Sequence, residues 1–182
     1  DMADQVFVFK RTVRETAQKH GMYATFMAKP MQKEPGSALH IHQSILSVQS
    51  GQNIFNDPDQ QPTPELMHYI AGLQRYTPDL ISFYAPNVNS YRRLAPDIAA
   101  PINLSWGYDN RTTAFRVPDS TPINRRVENR FPGADANPYL AIAASLASGL
   151  LGLEQKLQPT EPHQGTANDD NVEVARSLEE AV

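Results

Sequence analysis

Apolar positions recur along this chain with two periods, and the alternation between them marks out helices and strands. In residues 2–20, Val6, Phe9, Val13 and Ala17 follow a helical spacing, and Gly21 can stop the helix. Residues 22–31, MYATFMAKPM, read as a strand broken near Pro30. Residues 37–48 alternate: Leu39, Ile41 and Ile45 face one side, and His40, His42 and Ser44 the other. That is a half-buried strand with a polar working face. After the turn-rich SGQNIFNDPDQQPTP, Thr63 caps a helix over residues 64–76, with proline in its first turn and Glu65 near its positive end. Pro78 is expected to end it, and a second short helix to cover residues 78–85.

Beyond that point the strand pattern returns. Residues 102–108 and 112–118 read as two strands joined as a hairpin by the turn YDNR. Residues 127–131 form a further strand, with Arg126, Glu128 and Arg130 on one face. Residues 137–155 are a helix on which Leu140, Ala143, Ala144, Ala147, Leu150 and Leu151 keep the period, and its small residues suit close packing. The connector PNVNSYRRLAPDIAAP is too proline-rich for a long element and unusually polar. From Pro159 to Val182 six acids face one arginine, which suits a solvated loop and a short peripheral helix over residues 171–181.

Charge sharpens this picture. The net charge of the 182 residues is −4, yet from Arg92 to Arg130 seven arginines face only Asp97, Asp109, Asp119 and Glu128. A locally basic section in an acidic chain fits a small anionic substrate better than nucleic acid. There is no cysteine, so disulfides, thiolate metal sites and a cysteine nucleophile are excluded. The start lacks the pattern of a secretory leader, and the longest apolar stretch, residues 139–153, is too short and too rich in glycine and serine for a bilayer span. The expectation is a cytoplasmic protein with no membrane or nucleic-acid partner.

Two constellations could carry chemistry. His40 and Glu128 offer an imidazole nitrogen and a carboxylate oxygen, which suit Mg²⁺ or Mn²⁺. Two ligands do not close a shell, and both residues also fit the wet face of a sheet; His42 could instead donate to a substrate carboxylate. Arg126, Glu128 and Arg130 read equally as a cross-strand ion-pair row or as a metal ligand between two anion clamps. Arg93, Arg111 and Arg116 extend the second reading, in the company of Asn89, Ser90, Tyr91, Asp109 and Asn110. Phosphoryl transfer needs positive groups where charge develops, and a ligase that activates a carboxylate with ATP needs metal, phosphate clamps and a carboxylate pocket together. There is no Walker A sequence, no G-x-G-x-x-G, no G-x-S-x-G and no H-E-x-x-H. An unrelated metal hydrolase would leave the arginine blocks unexplained.

Four ordered blocks carry a family resemblance: ATFMAKPM with GSALHIHQSI; NSYRRLAP; APINLSWGYDNRTTAFRVP; and RRVENRFPGADANPYLAIAASLASGL. They span residues 24–150. The set resembles the C-terminal catalytic part of glutamine synthetase-family ligases, and WGYDNRT and RRVENR resemble in particular the branch of gamma-glutamylpolyamine synthetases. The resemblance implies an α+β fold in which a curved antiparallel sheet presents His40, Arg116 and Glu128 into a cleft, with helices outside. It implies phosphorylation of the glutamate gamma-carboxylate by ATP, followed by attack of ammonia or another amine. By motif position, His40 and Glu128 are implied as metal ligands, and Gly36, Arg93 and Arg130 as glutamate contacts. His42, Ser44, Arg116 and Arg126 are implied on the nucleotide and phosphate side, and Arg111 as the group that stabilises the phosphoryl in transfer.

Two departures qualify it. Pro35–Gly36 stands where the family often has Asn-Gly. The flap glutamate that shields the intermediate and takes a proton from the amine falls at Ala99; Asp97 could replace it only if the loop shifts, and a substituted amine suits a changed flap. The family's N-terminal beta-grasp domain and its earlier glutamate metal ligands are also missing. Residues 1–158 are therefore expected to be the C-terminal part of the catalytic domain and residues 159–182 an acidic peripheral loop and helix. The isolated chain is expected to be inactive and its parent a ring-shaped homo-oligomer. The alternative is a noncatalytic relative that keeps a ligand-binding or structural role.

Overall fold

The computed structural model describes residues 1–57, 59, 61–95, 100–167 and 174–182. Helices α1 (Met2–Lys19), α2 (Pro64–Tyr84), the short α3 (Val88–Tyr91) and α4 (Pro138–Gln155) flank a sheet of four short strands. These are β1 (Ile41–Gln43), β2 (Trp106–Tyr108), β3 (Phe115–Val117) and β4 (Val127–Asn129). Local chemistry sets the helix starts. Asp1, Thr63 and Asn137 cap α1, α2 and α4, each accepting a hydrogen bond from a first-turn amide.

The sheet differs from the antiparallel, curved one expected. Its order is β1-β4-β3-β2, which leaves it open at β1 and β2, and strands this short supply no strong curl. The β1–β4 and β4–β3 pairs are antiparallel, but β2 and β3 run parallel. The expected hairpin at YDNR fails for a local reason. Asp109 takes a positive φ of 46°, and Asn110 Oδ1 accepts from Thr112 N at 3.0 Å and Thr112 Oγ1 at 2.6 Å. The connection thus turns back on itself. Ala114 N and Phe115 N both reach Ser105 O, at 3.0 and 3.1 Å, so β3 starts beside the start of β2.

Other boundaries moved for tertiary reasons. Pro78 lies inside α2 instead of ending it; Leu73, Gln74 and Thr77 before it and Ile81 and Tyr84 after it are all buried, and that packing holds the axis. The alternating segment 37–48 is a strand only at Ile41–Gln43, flanked by isolated bridges from Ala38 to Gly133 and from Leu46 to Asn53. Residues 22–31 form no strand; within them the Lys29 backbone pairs with a side chain of α3, its N donating to Asn89 Oδ1 and its O accepting from Asn89 Nδ2, both at 2.9 Å. Residues 174–182 are bends and a turn rather than helix, while 171–173 lie outside the described residues. Residues 159–167 dock on the body: Trp106 Nε1 donates to Thr160 O at 2.7 Å, and His163 N to Trp106 O at 2.7 Å. No helix among the described residues is long and apolar enough to cross a membrane.

The core lies between α2, α4 and the sheet, with Tyr69, Leu73, Trp106, Phe115, Val127 and Phe131 fully or almost fully buried. The small residues of α4 serve close approach. A Cβ on Gly149 would lie 2.1 Å from the Tyr69 ring, and one on Gly72 would lie 2.1 Å from Ser148 O. Backbone cannot swing aside as a flexible side chain can. Gly72→Ala is therefore expected to lower the free energy of unfolding by about 1–3 kcal/mol, read as an earlier urea midpoint; an unchanged midpoint would show that the helices have room to part.

Candidate active site

Strand register builds the centre of the site. His42 of β1 is paired with Glu128 of β4, and Glu128 in turn with Arg116 of β3, so three side chains stand in one row across the sheet. Arg130, two residues after Glu128 and just past the end of β4, stands beside the row. Glu128 is only 3% exposed. A carboxylate at that depth requires cationic or hydrogen-bond-donating partners. It has them: His40 Nδ1 at 2.9 Å and Arg130 Nη1 at 3.2 Å meet its Oε1, and Arg116 Nη1 donates to its Oε2 at 3.0 Å. His42 Nε2 stands 3.8 Å from Oε1.

Burial raises the Glu128 carboxyl, but the His40 and Arg116 hydrogen bonds and the charge of Arg130 outweigh it and hold it at about 2. Burial pulls Arg116 down, yet its ion pairs with Asp109 and Glu128 leave it raised. Burial lowers Arg130 more than Glu128 restores it. His42 is also lowered by burial against the pull of Glu128, with Arg126 adding to the lowering. Its Nδ1 accepts from Arg126 Nε at 3.1 Å, which matches a neutral ring. The expected Arg126–Glu128–Arg130 row therefore splits: Arg130 turns to Glu128, and Arg126 to His42.

The remaining expected residues surround this row. Arg93 is 4% exposed, and its Nη1 and Nη2 donate to Phe131 O at 2.7 Å and Arg130 O at 2.9 Å. Gly36 packs on the Arg93 stem, where a Cβ would lie 3.1 Å from its Cγ. Ser44 is one wall of a cavity of about 740 Å³ shared with Asn53, Ile123 and Asn124. Arg111 is exposed in the turn after β2, where its charge reaches Asp109 and Arg130. Ala99 and Asp97 lie outside the described residues.

The fit to a divalent metal is partial. His40 and Glu128 bring suitable donors together, but no cluster of three or more His, Cys, Asp or Glu ligands exists among the described residues. One contributor, Asp135, escaped the sequence reading, and two that it named only as neighbours of the arginines have defined partners. Asp109 is a direct partner of Arg116 and not only a turn residue, and Asn89 and Asp135 fix the segments around Arg93. Nothing in residue type or spacing marks Asp135; only its contacts do.

The depressed Glu128 carboxyl makes stability depend on pH. Its contribution is complete above about 4.5, the ordinary value for a glutamate, and is lost as pH falls toward about 2. Thermal melts from pH 6 downward, in about half-unit steps, should show a fall in Tm across that window that is shallower in Glu128→Gln. Parallel curves would contradict the assignment.

Comparison with known proteins shows the family. The family described as glutamine synthetase, catalytic domain, matches residues 1–182. A glutamate–isopropylamine ligase from Pseudomonas is 46% identical over 98% of the chain and 40% of its own length. The gamma-glutamylputrescine synthetase PuuA of Escherichia coli is 44% identical over 91% of the chain and 35% of its own length. A glutamine synthetase from Pyrococcus abyssi is 41% identical over 86% and 35% respectively. The chain thus spans well under half the length of these relatives, and it belongs to the glutamine synthetase catalytic-domain family.

Proposed function

We propose that the full-length protein is an ATP-dependent ligase that phosphorylates the gamma-carboxylate of glutamate and joins it to an amine. The observation that carries the reading is the buried row of Glu128 with His40, Arg116 and Arg130. One carboxylate gathers three cationic or proton-donating groups on one sheet face, and the family to which the chain belongs performs this class of reaction. The names of two similar proteins, an isopropylamine ligase and a putrescine ligase, support an amine larger than ammonia.

The residues divide by chemistry. His40 and Glu128 would hold Mg²⁺ or Mn²⁺ together with ligands from elsewhere in the protein or from phosphate. Bound there, the ion would neutralise phosphate charge and polarise the transferred group. Arg116 and Arg126 flank that position and suit phosphate oxygens, with neutral His42 between them. Ser44 and its cavity, within the usual size of a ligand pocket, suit the nucleoside. Arg130 and Arg93, with Gly36 packed on the Arg93 stem, form the glutamate side. Arg111, exposed in the turn after β2, would meet the phosphoryl as charge shifts. Residues 1–158 are the C-terminal part of the catalytic domain in this reading, residues 159–182 an acidic segment beside it, and a cytoplasmic ring-shaped homo-oligomer completes each site. Ala99 in place of a flap glutamate favours a second reading, a noncatalytic relative that binds ligands without turnover.

Phosphate release by the full-length protein, with ATP, Mn²⁺ and glutamate and each of ammonia, putrescine and isopropylamine, separates the two. Release that needs glutamate and one of these amines is expected, and Arg116→Ala should lower kcat/KM for ATP by about 100-fold. Binding of ATP and glutamate with no release for any amine would support the noncatalytic reading.

A further inference from the structure

Asp135 takes no part in the chemistry above, yet it is firmly held. Its Oδ2 accepts from Ser90 Oγ at 2.6 Å and from Asn87 Nδ2 at 3.0 Å. Its Oδ1 is buried with no hydrogen-bond partner among the described residues. It sits so close to Gly133 that a Cβ there would lie 2.4 Å from it. A charged oxygen in that position is costly unless cations stand nearby. Two do, without direct ion pairing among the described residues: Arg93, and Lys10, whose Nζ donates to Ala136 O at 2.9 Å.

Arg93 has the complementary need. Its two bonds to the Arg130 and Phe131 carbonyls supply acceptors but no net negative charge. Burial and the like charge of Arg130 push it down to about 10, and Asp135 pushes in the opposite direction. Those two bonds also set where the Arg130 backbone lies, and hence where its guanidinium starts.

We propose that Asp135 is a positioning residue for the glutamate subsite: held by Ser90 and Asn87, its carboxylate supplies the charge against which buried Arg93 clamps the backbone of Arg130 and Phe131. The inference rests on the ligase reading, since it assigns Arg93 and Arg130 to glutamate. Because geometry near a reacting group controls binding and rate steeply, a small slip of this clamp reaches the substrate.

Asp135→Asn keeps the shape and most of the hydrogen bonding while removing the charge. In the full-length enzyme it should raise KM for glutamate about fivefold, with kcat, KM for ATP and Tm little changed. The double variant Asn87→Asp with Asp135→Asn moves the charge to the side chain just before α3, a position where Asp suits as well as Asn. It should bring the glutamate KM back to within about twofold of wild type. An unchanged glutamate KM in Asp135→Asn, no recovery in the double variant, or a parallel rise of both KM values with a fall in Tm would each overturn the inference while leaving the ligase reading intact. Absence of glutamate-dependent turnover in the wild type would overturn the ligase reading and this inference with it.

Discussion

The Glu128 carboxylate is the constraint on which this site turns. It lies at the middle of the sheet, almost sealed from water, and a lone charge there would be prohibitive. Arg116 arrives from one neighbouring strand, the His40 and His42 segment from the other, and Arg130 from two residues along. Removing one partner of such a buried cluster costs about 3–5 kcal/mol, because it leaves the others uncompensated. The register of β1, β4 and β3 is therefore tied to this cluster: a one-residue slip would turn Glu128 toward the apolar core. Fold and site are the same set of contacts.

Around that centre the chain uses side-chain-to-backbone bonds where regular structure runs out. Strands of three residues cannot position much by themselves. Asn89 pairs with the backbone of Lys29, Arg93 with the carbonyls of Arg130 and Phe131, and Asn53 with those of Ile123 and Arg125. Each joins segments distant in sequence, so the walls of the site are loops held by buried polar groups. The helix pair beneath them, α2 and α4, supplies the rigid base through its glycine contacts.

This division explains what the sequence disclosed. The long helices were legible because their periods are local, and the Thr63 cap and the small residues of α4 announce themselves. A spacing of two brought His40 and His42 to one face and Arg130 beside Glu128, but it also placed Arg126 in that row, whereas Arg126 pairs with His42 and the cross-strand partner of Glu128 is Arg116. The sheet was not legible. Whether β2 and β3 pair parallel depends on the conformation of Asp109 and the bonds of Asn110, which no hydrophobic pattern records. Pro78 argued for a helix end, and burial on both sides of it overruled that local preference. Asp135 carries no spacing signal, since its partners Ser90 and Asn87 are more than forty positions away. The chemistry of the family entered through ordered motifs rather than through any single spacing.

The most direct measurement is an electron paramagnetic resonance titration of Mn²⁺ into the full-length protein with ATP present, comparing wild type with Glu128→Gln and His40→Asn at a pH where all three are folded. If Glu128 and His40 form the heart of a metal–phosphate site, each substitution weakens Mn²⁺ binding by about 10- to 100-fold. Equal Mn²⁺ affinity in all three proteins would contradict the account and leave the row as an ion-pair network that only holds the sheet together.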